Sequence, residues 1–237
     1  MRDFEQVLNE RADEVATHLA FIQSLEAAAT GRGSGEGIPR VEAEPINILK
    51  SGFLVHLYNV VEAVMSKVLE EIEVCAKVHP PRTWCDGLLN EWAKGRMNLK
   101  RDLTILQAEG RVFDLLKETA DREAVESVPI RRKGGNWSHE QIEALAEAVS
   151  CDLHIRQNVW SEACDEPFEN DLPPLKYIRA KRNRLAHGSE SFVDGAKHIP
   201  AERLELLREP VLEYMREVVA SFSTYLDENR FLIATVD

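Results

Sequence analysis

The stretch PINILKSGFLVHLYNVVEAVMSKVLEEIEVCAKV, running from Pro45 to Val78, decides the fold. Its apolar residues Ile48, Leu49, Phe53, Leu57, Val60, Val61, Val64, Met65, Val68, Leu69 and Ile72 recur at helical spacing and cover much of the circumference. Pro45 suits a first helical turn, and Pro80-Pro81 closes the segment. A helix apolar on most sides belongs at the centre of a bundle, in contact with several neighbours. Four polar residues interrupt it: His56, Tyr58, Asn59 and Glu62. Asn59 and Glu62 stand three apart and share a face, so each must reach water or find a hydrogen-bond partner inside.

The same periodicity extends on both sides. Phe4, Leu8, Ala12, Val15, Leu19, Ile22 and Leu25 draw one apolar stripe, predicting a first helix that ends near Thr30. GRGSGEGIPR, from Gly31, reads as a connection: no strand precedes its glycines and no Gly-Lys-Ser/Thr follows, as a phosphate-binding loop would need. Trp84–Ala108 and Val112–Glu126 read as two helices separated around Gly110. Ile130–Ser138 reads as a loop, and Ser138 with Gln141 forms a capping box for the next helix. The acidic, proline-containing EACDEPFENDLPP reads as another loop. A helix from Leu175 should stop at Ala186 or His187, because Gly188 occupies the usual glycine stop position. Pro200 opens a last helical stretch that Pro210 should kink or divide, with Val211–Phe231 completing it. Strand patterns are almost absent. The expectation is therefore an all-α, up-and-down helical bundle with additional middle helices, one domain over residues 1–237, with 82–165 as an inserted or peripheral helical subdomain.

Composition narrows the chemistry. Among 237 residues, 41 acidic against 29 basic side chains leave a net charge of −12, which argues against a protein whose whole surface coats nucleic acid. No continuous apolar run approaches the roughly 18–20 residues that span a bilayer, and the acidic start is unlike a secretory signal, so no membrane role is expected. Cys75, Cys85, Cys151 and Cys164 include no close pair. They read as reduced thiols rather than a zinc site or disulfide framework, and cytoplasm is the expected location. His18, His56, His79, His139 and His154 lack metal-ligand spacing, so no metal or cofactor is expected. His198 reads as a cap for the helix at Pro200, and Trp84, Trp92, Trp137 and Trp160 as packing residues.

The densest chemical signal is LKYIRAKRNRLAHGSESF, residues 175–192. Lys176, Arg179, Lys181, Arg182 and Arg184 follow one another without an acidic residue before Gly188. Such a run either engages phosphate oxygens, which guanidinium groups hold bidentately, or forms a solvated face paired with acidic neighbours. His187 lies five residues after Arg182. An imidazole that gains and loses a proton near neutral pH and a permanently charged guanidinium are together sufficient for RNA transesterification, since RNA supplies its own 2′-hydroxyl nucleophile. The plainer alternative is a helix-terminal histidine bonded to the last carbonyls. On a straight helix, residues five apart point roughly 140° away from each other. A site using both therefore needs an opened last turn, or contributions from two chains around a two-fold axis. The two-chain arrangement is favoured.

RNRLAHGSESF resembles the Arg-polar-x-x-x-His signature of the HEPN superfamily, the higher-eukaryote and prokaryote nucleotide-binding helical domains. HLYNVVEAVMSKVLEEI, from His56, is similar to the family's Leu-Tyr-Asn-x-x-Glu helix, and GGNWSHEQIEALAEAVS to a Gly-Asn segment before a short helix. The likeness spans roughly Ile48 to Leu232 and points to the prokaryotic defence and toxin–antitoxin branch. It implies a dimeric, metal-independent endoribonuclease without cofactor, acting on single-stranded RNA, with an antitoxin or defence protein as partner. Arg182 and His187 match its catalytic pair and Asn183 its polar residue. Lys181, Arg184 and Arg179 would extend the substrate contact, with Asn59 and Glu62 from the central helix. Some relatives in that branch carry a tyrosine two residues after the histidine as a modification site; Ser189 stands there in this chain. A non-catalytic HEPN module that binds nucleotide or RNA, or scaffolds a partner, is the alternative. The basic loop residues Arg131, Arg132 and Lys133 could extend an RNA track or simply be solvated.

Overall fold

The computed structural model describes residues 1–29, 42–97, 105–121, 125, 127–128, 130 and 136–233. The connection at Gly31 and the basic loop Arg131–Lys133 lie outside these. Among the described residues are nine α-helices and no strand: α1 (Asp3–Ala29), α2 (Ala43–Ala76), α3 (Asp86–Met97), α4 (Ile105–Asp121), α5 (His139–Ala148), α6 (Gln157–Trp160), α7 (Pro174–Ala186), α8 (Phe192–Gly195) and α9 (Ala201–Asp227). The protein is all-α, as its periodicity predicts.

The central position of the Pro45–Val78 segment follows from its apolar circumference. Phe53, Leu57, Val60, Val61, Val64, Met65, Val68 and Ile72 of α2 are buried, and α2 packs against α1, α7, α8 and α9. An 18-residue window of α2 averages a hydropathy of 1.3, enough by length and composition to cross a bilayer, so the expectation that no segment approaches a span is corrected. The polar interruptions hide this average from a search for continuous apolar runs. In the bundle, 56% of that window is buried.

Charged clamps at the two ends fix helix directions. At one end, Arg2 pairs with Glu71 of α2 (3.0 Å) and Asp227 of α9 (2.6 Å), and the Phe4 N–H donates to Glu71 Oε1. At the other, Glu26 of α1 accepts from the Ala201 N–H (2.7 Å) and from Lys50 Nζ (3.3 Å), while Lys50 also donates to the Ile199 carbonyl at 2.8 Å. Thus α1 runs antiparallel to both α2 and α9. Glu26, and not His198, satisfies the first turn of α9: a carboxylate one helix away reaches a donor that Pro200, the residue preceding the helix, cannot serve.

Two boundaries differ from the sequence expectation, and a third is decided between its two alternatives. α4 continues through Gly110 instead of breaking there, because an exposed helical glycine costs only about 1 kcal/mol. The 162–174 segment begins helically: α6 passes into a π-helical turn at Ser161–Asp165, which buries Ala163 and Cys164 before the chain turns. Of the kink or division expected at Pro210, the division does not occur: α9 continues with Pro210 inside it. The missing proline N–H leaves the carbonyl of exposed Leu206 without its helical partner, while Leu207, Val211, Leu212 and Met215 stay in the core. Trp84, Trp92 and Leu88 join that core too; the two indoles meet edge to face at 5.5 Å.

Candidate functional site

α7 brings the basic segment against α2. Tyr177, Ile178, Lys181 and Leu185 form its buried stripe at spacings of one, three and four. Arg179, Arg182 and Asn183 fall on one adjoining flank, three or four residues apart. The α7 stop is made as expected: the Gly188 N–H donates to the Leu185 carbonyl (3.2 Å) and the Ser189 N–H to the Arg184 carbonyl (3.0 Å). Gly188 has φ +71°, the left-handed conformation that glycine adopts without a Cβ penalty. Gly195 then lets α8 approach closely, since a Cβ there would stand 2.7 Å from Ser51 Oγ of α2 and 2.9 Å from Leu185 Cδ2 of α7.

Arg182 is half-buried and held from three directions. Its Nη2 donates to Glu62 Oε1 and its Nη1 to Asn183 Oδ1 at 3.0 Å, and its guanidinium lies over the Tyr58 ring, 4.7 Å from the centroid. Carboxylate, amide and ring leave the planar group little rotational freedom. The Tyr58 hydroxyl donates to the Trp137 carbonyl at 3.3 Å. Burial, then the Glu62 charge, push that phenol up to about 12, against the opposing pull of Arg182 and Arg179, so Tyr58 stays protonated. Asn136 closes the network: its Oδ1 accepts from Arg179 Nε (2.9 Å) and from Asn183 Nδ2 (3.1 Å).

The predicted site residues separate into two groups. Arg182, Asn183, Arg179 and Glu62 come together through these bonds. Asn59 is exposed on α2, so the two polar residues of that face split: one reaches water and the other finds Arg182. Lys181 is nine-tenths buried and its ammonium is committed to Glu190 at 2.6 Å. Arg184 is exposed. His187 occupies the helix cap with φ −91° and ψ 1°, its backbone N–H donating to the Asn183 carbonyl at 3.0 Å. Its ring is exposed and has no hydrogen-bond partner among the described residues, so the bonding to last carbonyls weighed from the sequence is made by backbone alone.

Folding also changes the charge pattern. Carboxylates distant in sequence dilute the basic run: Lys176 pairs with Glu140 (2.9 Å), Lys181 with Glu190 and Arg182 with Glu62. Among the described residues, no group of three or more His, Cys, Asp or Glu is arranged to hold a metal ion. Tyr58 and Asn136 are the members that sequence reasoning left without a role. Their signals were present as a tyrosine interrupting an apolar helix and an asparagine just before a helix cap. Ser189, two residues after His187, is exposed and donates to the Arg184 carbonyl at 3.2 Å.

Searches among curated proteins and solved structures give no match. A family model described as HEPN_MAE_28990-like HEPN matches residues 2–231, nearly the whole chain. With the Arg182–Asn183 flank of α7 bound to Glu62 of the central helix, that match makes the chain a member of the HEPN_MAE_28990-like HEPN family.

Proposed function

We propose that this HEPN protein is a metal-independent endoribonuclease, a toxin or defence effector that cuts single-stranded RNA at a site completed in a homodimer. The observation that carries it is a guanidinium fixed by Glu62, Asn183 and Tyr58, close in sequence to an exposed imidazole at the Gly188 stop. In the reaction, a base removes the ribose 2′-hydroxyl proton, the 2′ oxygen bonds to phosphorus and the P–O5′ bond breaks. A proton then passes to the leaving 5′ oxygen, giving a 2′,3′-cyclic phosphate and a 5′-hydroxyl end. His187 serves as base or acid, Arg182 stabilises charge on the phosphoryl oxygens, and Asn183 with Asn136 and Glu62 orients Arg182. Exposed Arg184 and half-buried Arg179 steer the strand; buried Lys181 instead anchors Glu190.

Arg182 and His187 have opposing helical phases, so one chain presents them on different sides of α7. A second copy resolves this by offering its imidazole to the guanidinium of the first. The test is cleavage of single-stranded RNA with chelator present. His187→Ala should lower the rate by roughly 10²–10⁴-fold, the usual contribution of a positioned acid or base. Equal cleavage by wild type and His187→Ala would remove the proposed role.

The ion pairs that neutralise Lys176, Lys181 and Arg182 favour a second reading, a HEPN module that binds nucleotide or RNA, or scaffolds a partner, without turnover. RNA binding that Arg182→Ala abolishes, with no cleavage under any condition, would select it.

A further inference from the structure

Beside the Arg182 network lies a cavity of about 510 Å³ between α3 and α5. Its walls include Glu91 and Lys94 of α3, Trp137 of the preceding loop, and Glu140, Leu145 and Ala148 of α5. The volume lies in the range of small-molecule sites, and the lining combines an apolar body with a few polar groups, as such sites do. It shares a wall with the proposed catalytic site. Trp137 follows Asn136, which holds Arg179 and Asn183, and the Trp137 carbonyl accepts from Tyr58 beneath Arg182. Lys176 of α7 reaches Glu140 on the cavity wall at 2.9 Å. From Lys176 to Asn183 the helix rises about 10 Å, so one short piece of RNA can reach both places.

We propose that this cavity is a nucleobase subsite that takes a guanine of the same RNA strand, stacked on Trp137 and read by Glu91 and Lys94. The inference rests on the ribonuclease reading of the neighbouring site. Charge gives a phosphate no advantage here, because the cations at the wall, Lys94 and Lys176, are already paired with the carboxylates of Glu91 and Glu140. Burial opposes ionisation of Glu140, yet hydrogen bonds from Ser138, Lys176 and its own backbone N–H hold it down to about 2, so it is an anion at any physiological pH. Trp137 is half-buried, which leaves part of the indole for a base to cover. Glu91 is nine-tenths buried and its Oε1 accepts from Lys94 Nζ at 2.7 Å, which sets an acceptor beside a donor. Guanine presents the complementary edge: the N1–H and N2–H pair for the two carboxylate oxygens, and the O6 acceptor for the ammonium. Adenine and uracil lack two adjacent N–H groups of that kind, and cytosine offers only its amino group.

The test is binding of guanosine, adenosine, cytidine and uridine to the full-length protein by calorimetry, alongside cleavage of RNAs carrying each base at successive positions. Guanosine should bind at least tenfold tighter than the other three nucleosides. Glu91→Gln should erase that preference, and Trp137→Ala should weaken guanosine about tenfold, with Trp137→Phe retaining most of it. Guanosine binding without cleavage of any RNA supports the subsite and overturns the ribonuclease reading instead. Cleavage with no base preference, or equal binding of all four nucleosides by wild type and Glu91→Gln, overturns the subsite and leaves the ribonuclease reading standing.

Discussion

The contact between Glu62 and Arg182 can be isolated by a double-mutant cycle. Glu62→Gln keeps an acceptor oxygen and removes the charge; Arg182→Leu removes the guanidinium and keeps an apolar stem over Tyr58. The two side chains are only 23% and 20% exposed, so the pair is screened less than an ordinary surface ion pair. It is also open enough that the interior dielectric limit does not apply. A charge-assisted hydrogen bond contributes about 1.5–3 kcal/mol net, of which Glu62→Gln keeps the part that a neutral acceptor supplies. The Tyr58 ring under the guanidinium adds about 0.5–1 kcal/mol, which Arg182→Leu loses and Glu62→Gln does not. The cycle should therefore give a coupling of about 1–2 kcal/mol, with Arg182→Leu more destabilising than Glu62→Gln. Urea unfolding of wild type, both single variants and the double variant at one pH and low salt measures it. Additive single effects, with coupling below about 0.3 kcal/mol, would refute the claim that Glu62 holds Arg182 in place.

Two further outcomes follow from the same geometry. Gly188→Ala places a Cβ at φ +71° in otherwise open space, so its cost is conformational, about 1 kcal/mol in urea unfolding, with Gly188→Asn milder; no change would mean that the α7 stop does not depend on that conformation. His18 is pushed below the ordinary histidine value by burial first and by neighbouring His56 next, and His139 chiefly by burial. The folded state thus binds their protons more weakly than the unfolded chain. Stability should be complete above pH 6.5 and fall as the pH drops below it toward the depressed folded values. His18→Gln with His139→Gln should flatten this slope, and an unchanged slope between pH 7.5 and 5.5 would contradict the assignment.

The elements legible in the sequence are those specified locally. The α1 stripe from Phe4 to Ile22, the capped start at Ser138, where the backbone N–H donates to Gln141 Oε1 at 3.1 Å, and the Gly188 stop each need only a few neighbouring residues. Gly110 misled because the cost of one exposed helical glycine is small against what the rest of α4 retains. The site was legible as residue types but not as charges. Glu62, Glu140 and Glu190 lie 120, 36 and 9 residues from their basic partners, and only the packed bundle brings them together. Asn136 escaped assignment for the same reason, since its importance lies in joining Arg179 to Asn183.

The most direct measurement mixes two inactive proteins, one carrying Arg182→Ala and the other His187→Ala, and assays RNA cleavage in chelator. If a working site takes its guanidinium from one chain and its imidazole from the other, a mixed dimer regains one of its two sites. With random exchange the mixture should then recover about a quarter of wild-type activity and leave 2′,3′-cyclic phosphate ends. A mixture that stays inert while wild type cuts the same RNA would contradict the shared site.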